Sequence, residues 1–245
     1  MSLYDWYAKV LLDNKQILQR ITSVLVADSA FSKKPFIDNM LGIGFNVVSR
    51  LRHDAALYYL WDGEPTGKPG RPRVKGEKID FKNIDKSKVA ILDTDKSNEQ
   101  VYALKAWCKS LHRKISLVIH ILPKGGHRLY FSTDENMSGR DVMEYYCTRF
   151  QIEFCFRDAK QFVGLTDCQA RDTRKLYFAF NSSFTAVNVA KIMCSEYNLS
   201  IGKLKALMIN AYYAKRFIDV FENNPNTQLN HEILNEIFGF AADAA

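Results

Sequence analysis

Residues 24–27, Val-Leu-Val-Ala, are a short apolar run that ends at Asp28, and the segments around them restrict the fold more than any other part of the chain. A run this short, closed by a turn-forming residue, reads as a buried strand. Before it, Leu3, Trp6, Tyr7, Val10, Leu11, Ile17, Leu18 and Ile21 recur at helical spacing. After it, Pro35 suits the first turn of a helix running through Leu41. Gly42 and Gly44 then break that helix, and Phe45–Val48 forms a second short strand. Helix, strand, helix, strand in about fifty residues predicts parallel strands joined by a crossover, hence an α/β sheet.

The character changes after Arg50-Leu51-Arg52. Residues 61 to about 98 hold three of the six prolines and many charges, and GKPGRPRVKGEKIDFK reads as an exposed basic loop. A short helix is expected from Glu99 to Leu111. Then ISLVIHIL, a KGGHR turn and LYFST alternate as a β-hairpin. Residues 61–133 therefore read as a β-rich insertion following a first core part at 1–60. From Gly139 onward helices are expected: one from Gly139 to Val163, a second from Lys175 to Tyr197 that is apolar on most faces and so buried, and a third over Ile201–Glu222. These make up a part at 134–222, followed by a tail at 223–245 with a last helix at His231–Phe240.

Composition narrows the function. With 47% hydrophobic and 25% charged residues, the chain is globular rather than disordered. Lys plus Arg exceed Asp plus Glu by 34 to 27, which suits a polyanionic partner but does not require one. No two of Cys108, Cys147, Cys155, Cys168 and Cys194 have CxxC spacing, which argues against zinc and disulfide frameworks. No apolar run reaches membrane-spanning length and the N-terminus lacks signal-peptide character, so a cytoplasmic protein is expected.

Two features could carry chemistry. Asp28 sits at the carboxyl end of a parallel strand, where α/β sheets place their sites, although Asp also caps turns there. In EYYCTRFQIEFCFRDAK, residues Tyr146, Arg149, Glu153 and Lys160 project at roughly 0°, −60°, −20° and −40° on a continuous helix, with Arg157 near +20°. One carboxylate framed by cations and a phenol suits a metal ion beside a phosphate backbone. An exposed face with ordinary pairs, such as Arg149 with Glu153, fits the same spacing. Asp134, just before that helix, is a competing acidic candidate or a cap.

The spacing Tyr146-x2-Arg149-x3-Glu153-x6-Lys160 resembles the signature of bacterial insertion-sequence transposases of the DDE type. The flanks resemble them too: VADSAFSKKPF around Asp28, GFNVVSRLRHDA at 44–55 with Arg50 and Arg52, GRPR at 70–73, and FRDAKQFVGLTDCQAR at 156–171. The resemblance spans roughly residues 20–185. It implies a ribonuclease H-like core whose Asp, Asp and Glu bind two divalent ions, Mg2+ or Mn2+, for in-line attack on a DNA phosphate. Asp28 matches the second Asp and Glu153 the Glu, both as metal ligands. Tyr146, Arg149, Lys160 and Arg157 match positions that hold the double-stranded DNA of the transposon end. A mostly β insertion between Asp28 and Glu153 is also implied.

Arg71 and Arg73 lie in a Gly-Arg-Pro segment that reads either as a minor-groove hook or, more plainly, as a basic loop on phosphates. Trp61 and Trp107 could stack a displaced base or simply pack. The resemblance also shows a departure. The family's first Asp belongs upstream of the helix at which this chain begins, and neither Asp5 nor Asp13 replaces it. The expectation is thus a partial core with its first strands missing, an unpaired edge at 24–27, and an N-terminally truncated copy that is inactive alone. Its partners would be DNA, a second copy of itself or full-length transposase. The alternative is a DNA-binding or regulatory derivative that interferes with the full-length enzyme.

Overall fold

A computed structural model describes residues 2–64, 72–93, 99–223 and 226. The chain divides into two compact units, residues 1–150 and residues 151–245. The expected tail helix at His231–Phe240 and Arg71 lie outside the described residues.

The first unit opens with α1 (Leu3–Asp13) and the short α2 (Lys15–Leu18). Ser2 caps α1 by accepting the Asp5 N–H, and the Asp5 side chain reaches back to the Ser2 backbone. Then come β1 (Val24–Val26), a 3₁₀ turn (Ser29–Phe31), α3 (Lys34–Gly42) and β2 (Asn46–Leu51). Strands β1 and β2 pair in parallel, with Val24 opposite Asn46 and Val26 opposite Val48, as the alternation of elements predicts. Pro35 sits in the first turn of α3, where its missing N–H costs nothing. Gly44 at φ +87° makes the turn into β2.

Six more strands follow: β3 (Leu57–Leu60), β4 (Lys75–Lys78), β5 (Ala90–Leu92), β6 (Gln100–Cys108), β7 (Arg113–Ile121) and β8 (His127–Ser132). They join β1 and β2 in one sheet, ordered β1-β2-β8-β7-β6-β3-β4, with β5 also on β6. Among the described residues β1 is paired on one side only. The β7–β8 hairpin forms as its alternation predicts, and Gly125 and Gly126 supply the positive-φ residues of its turn.

The sheet is buried on both faces near its middle. Val47, Leu117, Ile119, Leu129 and Phe131 point one way and pack with Phe36, Ile37 and Met40 of α3. Val48, Val118 and Tyr130 point the other way, against Val142 and Tyr146 of α4 (Gly139–Cys147). Successive side chains of a strand alternate faces, so a strand covered on both sides reads as a continuous apolar run, as in 115–119.

Two expectations for helices fail. Residues 100–108 form strand β6 rather than part of a helix, paired with β7 along its whole length from Gln100–Ile121 to Cys108–Arg113. Ala, Leu and Lys in VYALKAWC tolerate a helix, but the cross-strand partners and the burial of Val101, Tyr102 and Ala106 decide for the strand. Nor is 139–163 a single helix. It divides into α4 and α5 (Phe150–Phe162), with Thr148 and Arg149 between them. The Thr148 hydroxyl donates to the Tyr145 carbonyl at 2.7 Å, and the Arg149 N–H bonds to the Tyr146 carbonyl at 3.1 Å. A β-branched residue bonding back to the preceding turn competes with the helical ladder and ends it.

The second unit holds most of α5, then α6 (Thr173–Tyr197) and α7 (Ile201–Asn223). Ala159, Leu165 and Val187 form its buried cluster. The expected burial of the second long helix is not found among the described residues. Ser183, Val187 and Cys194 of α6 are buried, whereas Tyr177, Phe178 and Ile192 are exposed. A helix apolar on most faces can turn only one stripe to a single neighbouring core.

Candidate functional site

Asp28 follows β1 directly and faces outward where that strand ends. It caps the 3₁₀ turn: Oδ1 accepts the Ala30 N–H at 3.1 Å and the Ser29 hydroxyl at 3.1 Å. Both readings of this residue are therefore compatible, because the capping bonds use one carboxylate oxygen. The other, Oδ2, lies 3.5 Å from the Arg149 guanidinium. Behind Asp28, the buried Ser49 hydroxyl donates to the Asp28 carbonyl at 3.1 Å and lies 2.9 Å from the Ser32 hydroxyl. Ser32 in turn reaches the Arg50 carbonyl at 2.9 Å. These two serines tie the segment carrying Asp28 to β2. Nothing in their sequence positions, 17 residues apart, announces that role.

Three residues singled out from sequence gather around Asp28 within the first unit: Arg50, Tyr146 and Arg149. The Ala30 N–H does most to hold the Asp28 carboxyl below its ordinary pKa. The Ser29 hydroxyl and the charges of Arg149 and Arg50 add to it, against a partial burial that pulls upward. Asp28 is thus an anion at neutral pH. Tyr146 shifts the other way: burial pushes its phenol up, and the Asp28 charge adds to this, while Arg50 and Arg149 oppose it. It remains a neutral hydroxyl able to donate.

The wheel drawn from Tyr146 to Lys160 does not apply, because the helix breaks between them. Tyr146 is a core residue, its ring 4.9 Å from that of Tyr130. Arg149 comes from the break itself, its guanidinium 4.6 Å from the Phe150 ring centroid. In the second unit, Glu153 occupies the first turn of α5 and Lys160 the last, both exposed. Acid early and base late is the order the helix dipole favours. Arg157 donates to Asp158 at 3.0 Å and lies over the Phe154 ring. Asp158 is a buried carboxylate on α5 that sequence inspection passed over.

The outlying candidates stand apart from this cluster. Arg52 forms a two-point pair with Asp54 on the surface, at 3.0 Å for each contact. Arg73 stacks on Trp61 at 3.9 Å and donates to the Lys75 carbonyl. The Trp107 indole N–H is buried with no hydrogen-bond partner among the described residues. Asp134 closes a turn by accepting the Asn136 N–H, and α4 is capped instead by Ser138.

Among the described residues, no group of three His, Cys, Asp or Glu is placed to hold an ion. Asp28 is one carboxylate accompanied by arginines, a set that suits an anion next to it better than a closed cation cage. The first unit thus offers a carboxylate, a neutral phenol and two guanidiniums, which together can grip a phosphate and position one further charge.

The sequence also matches the model of a family described as transposase DDE domain, over residues 8–189 of 245. That stretch includes both Asp28 and Glu153. No curated protein matches the chain.

Proposed function

The chain belongs to the transposase DDE-domain family, whose members cleave and transfer DNA strands, and from that premise we propose that Asp28 and Glu153 are its site carboxylates. Tyr146, Arg149 and Lys160, together with Arg50 and Arg157, hold the transposon-end DNA. The observation that carries the reading is the cluster of Asp28, Arg50, Tyr146 and Arg149 at the carboxyl end of β1. Folding brings together residues more than a hundred positions apart, in the combination a phosphodiester requires: donors for its oxygens and a carboxylate beside them. Arg52, Arg71 and Arg73 serve as outer contacts to the DNA backbone.

The family uses divalent metal ions, and Mg2+ or Mn2+ is the ion expected here. The described residues do not complete a cage for it, so the role assigned to this chain's own groups is binding and orientation. The Ala30 N–H does most to keep Asp28 ionised, Arg149 adds to this and offers its guanidinium to a phosphate oxygen, and Tyr146 donates a neutral hydroxyl. On this reading residues 61–133 are the insertion between the segments of Asp28 and Glu153, within a ribonuclease H-like fold. The setting is a bacterial insertion sequence and the DNA of the nucleoid.

We further propose that this chain binds DNA but does not cut it alone. On this reading a third carboxylate comes from another chain, a second copy or full-length transposase. The 245-residue chain is expected to retard transposon-end duplexes and to inhibit full-length transposase added to it. Robust metal-dependent nicking by the purified chain, abolished in Asp28→Ala, would overturn the inactivity. Unchanged DNA affinity in an Arg149→Ala/Lys160→Ala double variant would overturn the transposon-end site itself.

A further inference from the structure

Three arginines converge on a depression of about 340 Å³ beside Asp28, lined by Ser29, Arg50, Arg52, His53, His127 and Arg128. The sheet register explains the convergence. In the antiparallel pairing of β2 with β8, Arg50 stands opposite Tyr130, and Leu51 opposite Leu129 is the last pair. Arg128 is the next residue of β8, two positions from Tyr130. Side chains alternate, so it shares a face with Arg50 as a diagonal neighbour across the strands. Like charges so placed repel unless an anion lies between them.

No carboxylate lines the depression. The charge of Arg52 is already met by Asp54 and Arg50 acts on Asp28 without a close ion pair, whereas Arg128 makes no salt bridge among the described residues. His127 is held in place by stacking on Phe81, at 4.2 Å between centroids, and by a 2.8 Å bond to the His53 carbonyl. A carbonyl only accepts, so Nε2 carries the proton of that bond. A larger depression of about 840 Å³ shares His53 and His127, but it sets Lys78 and Lys82 against Asp54 and Asp80. Its charges balance, so only the smaller one favours an anion.

We propose that this depression is a subsite for a backbone phosphate of the DNA strand held at Asp28, with Arg50 and Arg128 as its donors. The assignment rests on the reading of Asp28 as a site carboxylate. It adds Arg128, which the transposase signature does not contain, and it directs the strand from Asp28 along the paired ends of β2 and β8.

The test uses the full 245-residue chain and a fluorescein-labelled 30-base-pair duplex, with anisotropy titrations across a potassium chloride series. Arg128→Gln is expected to weaken binding by about fivefold to tenfold near 0.1 M salt and to lower the salt slope by about one phosphate contact. Arg128→Lys is expected to keep the slope and lose part of the affinity, because it keeps the charge and loses the planar fork. Arg174→Gln, which removes an exposed guanidinium of the second unit, should change neither. If Arg128→Gln leaves affinity and slope unchanged while Arg149→Gln weakens binding, the subsite is wrong and the reading of Asp28 stands. If both variants bind like the parent, both fall. If millimolar inorganic phosphate stabilises the parent but not Arg128→Gln, and both bind the duplex equally, the site takes free phosphate and the DNA assignment is overturned.

Discussion

Tyr146 is expected to serve the fold through its ring and the DNA through its hydroxyl, and a pair of substitutions separates the two. The residue is only 8% exposed and packs among Val48, Val118, Tyr130 and Val142 on one face of the sheet. Truncating a buried aromatic to alanine costs about 3–5 kcal/mol, a range that includes the loss of an aromatic pair such as that with Tyr130. Tyr146→Ala should therefore destabilise the first unit by about 3–4 kcal/mol, a fall of roughly 10 °C in melting temperature for a unit of this size. Tyr146→Phe keeps the ring, and no side-chain bond to the hydroxyl anchors the fold among the described residues, so its stability should stay within about 1 kcal/mol of the parent. Its DNA affinity should nevertheless drop about tenfold or more, the value of one hydrogen bond to a charged oxygen. Urea unfolding followed by circular dichroism measures the first effect, and anisotropy on a labelled duplex the second. A Tyr146→Ala variant as stable as the parent would refute the packing argument. A Tyr146→Phe variant that binds DNA like the parent would remove the hydroxyl from the site.

The remaining predictions concern acid stability and helix capping. Asp28 is held below its ordinary pKa in the folded chain, so its stabilising contribution is complete above the unfolded value, about 3.9, and is lost as pH falls through the depressed one. Asp28→Asn should flatten that part of the stability profile in urea titrations between pH 2 and 6, and an unchanged acid limb would show that the capping bonds do not persist in solution. Ser138 caps α4 by accepting the Asp141 N–H at 3.1 Å. Ser138→Ala should cost about 1 kcal/mol in chemical unfolding, and a change below about 0.3 kcal/mol would mean that α4 does not depend on its cap.

What the sequence determined unaided was local. The apolar run before Asp28, Pro35, and the glycines at 42 and 44 specify strand, helix and strand without reference to distant residues, because each acts within a few positions. Gly125 and Gly126 likewise mark the β7–β8 turn, where φ must be positive. The spacing from Tyr146 to Lys160 resembles a family signature whether one helix or two carry it, since residue identity at fixed intervals does not depend on secondary structure. The tertiary structure decided three things. It made 100–108 a strand, because pairing with β7 outweighs a propensity that leaves helix and strand nearly equal. It broke the helix at Thr148 and so separated Tyr146, a core residue, from the exposed face of α5. It also chose which charges share space: Arg149 meets Asp28 across 121 residues of chain, and Arg128 and Arg50 line one depression because of the β2–β8 register. These contacts are non-local, set by strand pairing and burial rather than by any neighbour in sequence, so no local reading of residues near Asp28 contains them.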